Sequence, residues 1–376
     1  MNHTSAANPS SAAAPLRVVF LAPKLGLGGM TRYLVELSAA MASRGHAIRI
    51  ATVDGPGIAQ HREEIERGGA NVDILPALTR GAMRSVIRAH RADCIKLFTG
   101  AFPPDTRLSL RLAGTGLPMV ESIHVLPSRR GISLTQRAFY AARSKARYAM
   151  VVFTEEVAAE ARQRIASLSP CIHLLRYGMD IPSPGVNARD GQPIRFISIS
   201  RLDEKQKDVA TLVRAFALVR DRWPSARGAL PRLAIVGDGP DRAALVRLTE
   251  ELGLSAMVAF EGWVADPIAR LRDADVFVLS TRRESPGRVN IEAAAVGLPA
   301  IASRVEGCTE SVADGVNGLL TPPGDAGALA EAMLHLASDA SARARLGAAG
   351  PAHAERFAIG PHADHIAGLL SAARRR

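Results

Sequence analysis

Two glutamates, Glu284 and Glu292, are separated by seven residues in the segment from Ser280 to Pro299. An ionised carboxylate only accepts hydrogen bonds, and it can take two of them from neighbouring hydroxyl groups of a ribose or a hexose. The pair therefore suggests a site for a sugar or a nucleotide. The alternative is a glutamate that stabilises a helix dipole beside an unrelated loop glutamate.

The elements around these glutamates place them beside one crevice. The apolar run Val276 to Leu279 predicts a buried strand, and Pro286-Gly287 cannot continue a helix, so Glu284 belongs to the loop between strand and helix. Glu292 then lies near the first turn of the next helix. Ligands of open α/β sheets bind beyond the carboxyl ends of the strands, where a helix N-terminus favours a phosphate. A nucleotide-sugar would satisfy both the carboxylates and the helix.

A second charged cluster follows another predicted strand, Ile194 to Ser200, and contains Arg201, Lys205 and Lys207. Negative charge develops on a departing nucleoside diphosphate, and fixed cations aimed at it lower the barrier. Arginine can fork onto phosphate oxygens, whereas lysine acts as a point charge. A solvated basic loop is the alternative interpretation of this cluster.

Both clusters resemble the signature of retaining GT-B glycosyltransferases of family 4, the glycosyl transferases group 1. The resemblance rests on the two glutamates and on an Arg-Leu pair followed by a lysine. The matching positions are Glu284, Glu292, Ala293, Gly297, Leu298-Pro299, Arg201-Leu202 and Lys207. The commonest form of the signature has a glycine after the lysine, where this chain has Asp208. This departure leaves Lys205 open as the matching lysine, although Lys207 is preferred.

The resemblance implies an α/β fold with GT-B architecture, in which two Rossmann-like domains face each other across a cleft. Alternating apolar runs and helical patterns independently predict parallel α/β structure. A Pro-rich stretch at 181–185 is a natural linker. The predicted divisions are a disordered leader at 1–15, an acceptor domain at 16–180, a nucleotide-sugar domain at 181–360 and a helix at 361–376 that packs back toward the first domain.

Strand positions follow from the apolar runs. They are predicted at 18–22, 48–53, 72–75, 94–98, 119–123 and 150–153 in the first domain, and at 194–200, 233–237, 258–261, 276–280 and 300–303 in the second.

The resemblance also implies roles for individual residues. Glu284 would hold the donor sugar and Glu292 the ribose, while Arg201 and Lys207 would hold the diphosphate. His124, which follows a predicted strand, would face the donor sugar from the other domain. The implied reaction is transfer with retention from a nucleotide-diphosphate sugar, UDP-sugar preferred and GDP-mannose next, to a lipid-linked or cell-surface glycan in polysaccharide or lipopolysaccharide biosynthesis.

Several other positions are predicted to bind substrate. Gly28 and Gly29 lead into a helix and would bring backbone N–H groups close to the diphosphate or the acceptor. Gly237 belongs to a Gly-Asp-Gly-Pro element similar to one in the family, although the same sequence also forms an ordinary turn. Val264 matches the position that borders the nucleotide base, and Arg288 lies between the two glutamates.

Two other motifs have competing interpretations. Asp273-Ala274-Asp275 resembles a metal-binding Asp-x-Asp motif, but it precedes its strand and so lies at the edge opposite the crevice; we expect neither metal nor cofactor. The glycines before Thr31, with Asp54 after the next strand, partly match a dinucleotide fingerprint. Thr31 replaces the third glycine, so an NAD-dependent oxidoreductase is a weaker alternative, as is a catalytically inactive GT-B binding protein.

The composition limits the number of domains and the cellular compartment that can be expected. The chain has 376 residues, 47% of them apolar, which suffices for two domains. Its three cysteines have no paired spacing, which favours a reducing cytoplasm over a disulfide framework. No apolar stretch reaches the roughly 18 to 20 residues that cross a bilayer.

The net charge of +11 is concentrated in the first half of the chain. Residues 1–180 carry 23 basic and 13 acidic side chains, and residues 181–376 carry 24 and 23. Aromatic residues make up only 4% and no nucleic-acid module is present, so an anionic membrane surface is the preferred partner and nucleic acid is not expected. A solvated arginine-rich surface is the alternative.

The basic residues of this first half predict a docking face for the inner side of the membrane. They are Arg80, Arg84 and Arg88 at helical spacing, and Arg129, Arg130, Arg137, Arg143, Lys145 and Arg147. The predicted location is cytoplasmic with peripheral membrane association.

Overall fold

The computed structural model describes residues 14–23, 25–26, 28–55, 58–99, 112, 115–123, 147–164, 166–187, 192–224, 228–284 and 286–375. They form two compact units. The first runs to Met179 and resumes at Ile359, and the second is Asp180–Ala358. The sequence-based division between 180 and 181 lies one residue from this boundary. The predicted leader at 1–15 lies outside the described residues except for its last two.

The first unit is built on one parallel sheet. Its strands are β1 (Arg17–Ala22), β2 (Ala47–Val53), β3 (Asn71–Leu75), β4 (Cys94–Thr99), β5 (Met119–Ile123), β6 (Tyr148–Val152) and β7 (Ile172–Leu174). The helices described between Gly29 and Arg164 are α1 (Gly29–Ala42), α2 (Ile58–Arg67), α3 (Arg80–Ala89) and α4 (Glu155–Arg164). A 3-10 helix follows at Ala166–Cys171. The strand order is β3-β2-β1-β4-β5-β6-β7.

The second unit has a parallel sheet of six strands in the order β10-β9-β8-β11-β12-β13. The strands are β8 (Arg195–Ile199), β9 (Arg232–Val236), β10 (Val258–Gly262), β11 (Val276–Leu279), β12 (Ala300–Ser303) and β13 (Gly318–Thr321). The helices are α5 (Glu204–Lys207), α6 (Val209–Arg222), α7 (Arg242–Glu251), α8 (Pro267–Arg272), α9 (Arg288–Val296), α10 (Glu306–Ser311), α11 (Ala326–Ser338) and α12 (Ala340–Ala354), followed by a 3-10 turn at Glu355–Phe357.

The last helix, α13 (Ile359–Arg375), belongs to the first unit and packs against α1. Asp364 forms an ion pair at 2.5 Å with Arg44, two residues after the end of α1, and Arg374 lies 3.4 Å from Asp93. His362, in the first turn of the same helix, is buried. The chain therefore completes its first unit only after it has passed through the second.

Hydrophobic patterning accounts for these elements. The apolar face predicted for α1, which includes Leu34, Leu37 and Met41, is buried. In a parallel α/β domain the helices cover the faces of the sheet, so such a face packs inward. The predicted strands are present with small shifts at their ends. The short β7 and β13 were missed, because a three-residue strand containing His173 and a strand that begins at Gly318 carry little apolar signal.

The order of the second sheet reverses beside β8, which lies between β9 and β11. Phe196 of β8 is paired with Val276 of β11, so the loops that follow these two strands leave the sheet at the same edge. Such a switch point is where ligands bind in open α/β sheets. Among the helices of the described ranges, none has the length and apolar character needed to cross a membrane.

Candidate functional site

The loops after β8 and β11 bring a lysine and a glutamate together. Lys207 Nζ lies 2.5 Å from Glu284 Oε2, and their side chains are 15% and 11% exposed. Lys207 ends the short helix α5, and Glu284 lies in the loop before α9. The two residues that sequence analysis assigned to the diphosphate and the sugar thus form a single ion pair.

Backbone-directed hydrogen bonds fasten these two loops to each other. The backbone N–H of Arg282 and the hydroxyl of Thr281 both donate to the carbonyl of Gln206, each at 2.8 Å. Ser280 Oγ donates to the carbonyl of Asp208 at 3.0 Å. Sequence reasoning missed these hydroxyls. The signal that could have found them is their position directly after the buried strand β11, where the chain passes the loop that follows β8.

The two candidate lysines differ in their surroundings. Lys205 is exposed on α5, whereas Lys207 is directed to Glu284. This placement favours Lys207 as the lysine of the site. Arg201, two residues after the end of β8, is also exposed and makes no ion pair or hydrogen bond through its side chain with any residue in the described ranges. It is a cation available to an incoming anion.

The residue after Lys207 has an unusual backbone conformation. Asp208 has a φ of 48° and lies in the left-handed region, which glycine adopts freely and which aspartate tolerates better than most residues. The left-handed turn explains physically why a glycine is commonest at this position in the family that the sequence resembles. Asp208 therefore preserves the turn that directs Lys207, although it adds a buried carboxylate.

The N-terminus of α6 is already occupied by a carboxylate of the protein. Glu204 Oε1 and Oε2 accept hydrogen bonds from the backbone N–H groups of Val209 and Ala210 at 2.8 and 3.0 Å. Burial raises the pKa of Glu204, and these two hydrogen bonds oppose that rise. Glu204 thus fixes the turn that carries Lys207, a role that its position in a charged cluster did not reveal.

Glu292 is the fifth residue of α9 and is almost buried. Its Oε1 accepts a hydrogen bond from Arg288 Nε at 2.8 Å, one helical turn earlier. Gly287, just before α9, has a φ of 70°, and a Cβ there would come within 2.7 Å of the carbonyl oxygen of Gly307. The tight packing of this glycine fixes the start of the helix that carries both Arg288 and Glu292.

Gly237 and Val264 follow β9 and β10 at the same edge. A Cβ on Gly237 would lie 1.9 Å from the carbonyl oxygen of Ser200, so close backbone packing already requires a glycine there. Val264 is half-buried, and its neighbour Trp263 is 51% exposed. Contact of Gly237 or Val264 with a nucleotide stays a prediction.

In the first unit, Gly28 and Gly29 begin α1. Gly28 is exposed, and no atom of the described residues lies within 4 Å of the position that a Cβ on it would take. Packing therefore does not require this glycine, which leaves room for a ligand to approach the backbone. His124 lies outside the described residues, immediately after β5.

The Asp-x-Asp motif lies at the opposite edge of the second sheet, as its position before β11 predicted. Asp275 Oδ2 accepts a hydrogen bond from the backbone N–H of Arg195, the first residue of β8, at 2.7 Å. Asp273 accepts one from the side chain of Asn187. A cavity of about 450 Å³ also lies beside the starts of β8, β9 and β10. Its position separates it from the Lys207–Glu284 pair.

Two family models match the chain. The model described as Glycosyl transferases group 1 matches residues 182–353, and the model described as Glycosyltransferase Family 4 matches residues 27–180. Together they span most of both units.

Curated relatives include glycosyltransferases of two descriptions. The lipopolysaccharide core biosynthesis glycosyltransferase LpsD of Rhizobium meliloti is 37% identical over 146 residues, which is 39% of this chain and 40% of LpsD. The D-inositol 3-phosphate glycosyltransferase of Streptomyces avermitilis is 28% identical over 395 residues, covering 93% of this chain and 85% of that enzyme. The chain thus matches about two fifths of LpsD and most of the second relative.

Among solved structures, Anabaena Alr3699/HepE in complex with UDP and glucose superposes with a TM-score of 0.77. The sequences are 21% identical, and the match covers 95% of this chain and 100% of that one. Similarity at this level of identity shows the fold. The GT-B fold predicted from the sequence is therefore confirmed.

Proposed function

Since the chain belongs to the group 1 glycosyltransferases, we propose that it transfers a sugar from a nucleotide-diphosphate sugar to an acceptor. The observation that carries this proposal is the Lys207–Glu284 pair at the switch point of the second sheet. A cation that can bind a diphosphate lies there beside a carboxylate that can accept hydrogen bonds from sugar hydroxyls. A donor in which a sugar is joined to a diphosphate would need both groups next to each other.

In this proposal the donor rearranges the resting pair. Lys207 binds the diphosphate and releases Glu284, whose carboxylate then accepts hydrogen bonds from the donor sugar. Arg201 supplies a second cation to the diphosphate, and Glu292 accepts hydrogen bonds from the ribose. His124, which lies outside the described residues, keeps in this proposal the catalytic role that the family resemblance implies. Both cations stabilise charge that grows on the departing diphosphate, so they act mainly on the transition state.

The proposed stereochemistry is retention, with the diphosphate leaving and the acceptor attacking from the same face of the sugar. UDP-sugar is the preferred donor, and the solved complex of Alr3699/HepE with UDP and glucose supports that choice. A GDP-sugar is the comparison arm of the experiment. The reaction needs no metal in this proposal, because fixed cations perform the neutralisation that a divalent ion would otherwise provide.

A lipid-linked or cell-surface glycan is the proposed acceptor, reached by a cytoplasmic protein that docks on the inner face of an anionic membrane. The similarity to a lipopolysaccharide core glycosyltransferase supports this class of acceptor. On α3, Arg80 and Arg88 are exposed while Met83 and Ile87 are buried, so basic side chains project from the solvent side of the helix. Of the other basic residues of the predicted face, Arg84 and Arg147 are described, and the rest lie outside the described residues.

Hydrolysis and transfer assays test the proposal. Purified protein is incubated with a panel of UDP- and GDP-sugars, with and without EDTA, and released nucleotide is measured. We expect a UDP-sugar to be consumed in EDTA, and NMR of the product to show a retained anomeric configuration. Binding of a donor without turnover would identify an inactive binding protein, and binding of NAD alone would identify an oxidoreductase. Activity lost in EDTA and restored by Mg²⁺ would overturn metal independence.

Cosedimentation tests the membrane component separately. We expect wild-type protein to sediment with anionic liposomes at low salt and to dissociate at high salt, because several basic residues contribute about 1 kcal/mol each near an anionic leaflet. Charge reversal at Arg129, Arg130, Arg143 and Lys145 should abolish sedimentation. Unchanged sedimentation would show that the predicted face is wrong.

A further inference from the structure

Asp208 is a buried carboxylate beside the lysine of the site, and its local structure does not require it. The residue is 3% exposed and its left-handed φ would suit a glycine. It precedes α6, yet its side chain makes no capping hydrogen bond, because Glu204 occupies the first N–H groups of that helix. In the described ranges, no N–H or O–H group is aligned to donate a hydrogen bond to Asp208 Oδ2.

This arrangement places two carboxylates at one helix start. Repulsion from Asp208 adds to burial in raising the pKa of Glu204. A buried charge is unfavourable unless another charge compensates it. Glycine would supply the same turn without charge, so the aspartate calls for a compensating partner.

That partner is Arg282, on the loop after β11. Its Nε lies 3.1 Å from Asp208 Oδ2, and its backbone N–H donates to the carbonyl of Gln206 at 2.8 Å. The arginine side chain is 56% exposed, whereas that of Asp208 is 4% exposed. Arg282 is two residues before Glu284. The same two loops are thus joined by a second ion pair whose charges are reversed relative to Lys207 and Glu284.

We propose that Asp208 and Arg282 are positioning residues that keep the two loops together while the donor separates Lys207 from Glu284. This inference rests on the proposed function. When the diphosphate takes Lys207 from Glu284, the first ion pair between the loops is lost. The reversed pair is retained, since drawing Arg282 away would leave the charge of Asp208, whose side chain is 4% exposed, buried without compensation. Lys207 and Glu284 therefore stay aligned on the two ends of the donor.

The two partners should differ in the effect of their removal. Arg282→Ala removes the link and leaves Asp208 buried without compensation, so we expect kcat for donor hydrolysis to fall about tenfold. Asp208→Gly removes the link without leaving a buried charge, and a fall of about threefold is expected. The double variant should match Asp208→Gly alone, because the glycine removes the orphaned carboxylate. Arg282→Lys should retain most of the turnover.

Arg283→Ala is the matched control, since Arg283 is the exposed neighbour of Arg282. Its kcat should equal that of wild type. Falls in kcat that multiply in the double variant, to about thirtyfold, would overturn the pairing. A lower melting temperature with unchanged kcat in Arg282→Ala would reduce the pair to a structural role and also overturn the proposal.

Calorimetric binding of UDP and GDP to wild type separates this inference from the proposed function. If neither nucleotide binds and no donor is consumed, the proposed function fails, and the role in donor alignment fails with it. If wild type binds UDP and hydrolyses its donor but the double variant shows no rescue, only the positioning pair fails.

Discussion

The edge of the second sheet and the interior of the first unit use a lysine in different ways. Lys207 is partly accessible and is paired with a carboxylate in a loop, so a competing anion can take it over. Lys96 of β4 is fully buried, donates to Ser122 Oγ at 2.5 Å and lies 4.6 Å from the ring centre of Phe98. Burial lowers the pKa of Lys96 to about 7. The contrast shows that access, and not residue type, separates an exchangeable charge from a structural one.

The buried region of the first unit continues as a chain of hydrogen bonds to α13. Nδ1 of His362 lies 2.9 Å from the carbonyl oxygen of Arg176, which can only accept, so Nδ1 carries the proton. Nε2 of a neutral ring then accepts from the hydroxyl of Tyr33 at 2.8 Å. The rings of Phe153 and Tyr177 surround this contact. No exchange with solvent anions is expected here.

The largest effect should come from breaking the exchangeable pair. Lys207→Ala should lower kcat for donor turnover about 10²- to 10³-fold, because it removes a cation that stabilises the leaving diphosphate. Affinity for UDP should fall much less. Lys205→Ala, two residues away and exposed, is the matched control and should leave both quantities near wild type. An equal loss in both variants would assign the effect to general charge in the loop.

Lowering the pH should reduce the free energy of unfolding through His362 in the buried region of the first unit. Burial lowers the pKa of His362 from 6.5 to about 4, so the unfolded chain binds more protons between these values. The histidine's contribution to stability is complete above pH 6.5, and about 2 to 3 kcal/mol should be lost as the pH falls toward 4. Chemical denaturation at pH 7 and pH 5, followed by fluorescence, measures the slope.

Two histidines of α13 provide the control for this slope. His362→Gln should be less stable at pH 7 and should lose part of the acid dependence. His365→Gln should keep the wild-type slope, because His365 is exposed. An unchanged slope in His362→Gln would show that another group titrates in this window.

Glu292→Ala tests the proposed contact between the second sheet and the ribose of the nucleotide. Loss of the acceptor for the ribose should weaken UDP binding by about 1 to 3 kcal/mol, although it also leaves Arg288 without the 2.8 Å contact. Glu251→Ala, on the exposed end of α7, is the control and should bind UDP normally. Calorimetry with wild-type affinity in Glu292→Ala would remove the ribose assignment.

The smallest effect is expected from a glycine in α13. Gly368 is exposed, and no atom lies within 4 Å of the position of a Cβ on it, so Gly368→Ala should stabilise the protein by about 0.5 to 1 kcal/mol through helix propensity. Gly347→Ala in α12 should do the reverse, since its Cβ would lie 2.3 Å from the carbonyl oxygen of Gly297. Melting temperatures of the two variants distinguish the cases, and a lower value for Gly368→Ala would contradict this reasoning.

Sequence patterns predicted the fold, and they predicted that Glu284 and Lys207 lie after strands, because both depend on local order along the chain. Apolar runs defined most strands, and Glu284 and Lys207 each follow one of them. The contact between those two side chains requires β8 and β11 to be neighbours in the sheet. The two strands are far apart in sequence, so local patterns do not reveal their pairing. The left-handed turn at Asp208 was signalled only by a departure from the family pattern.

Other features had no local signal in the sequence. Glu204 looked like one charge in a basic cluster, yet it caps the helix that follows. His362 lies in an alanine-rich amphipathic segment, and only tertiary packing places it against Tyr33, far away in sequence. Buried polar groups of this kind are selected by their partners across the fold, so their own neighbours in sequence do not identify them.

The return of α13 to the first unit sets an order on biosynthesis. The backbone N–H of Ile359 donates to the carbonyl of Met179 at 2.9 Å, so the chain leaves the first unit and re-enters it at adjacent points. On the ribosome, the 179 residues of Asp180–Ala358 emerge before the helix that completes the first unit. Until α13 is synthesised, the surface of α1 against which α13 packs stays uncovered in the nascent first unit. The second unit already has its whole sequence at that stage and can fold.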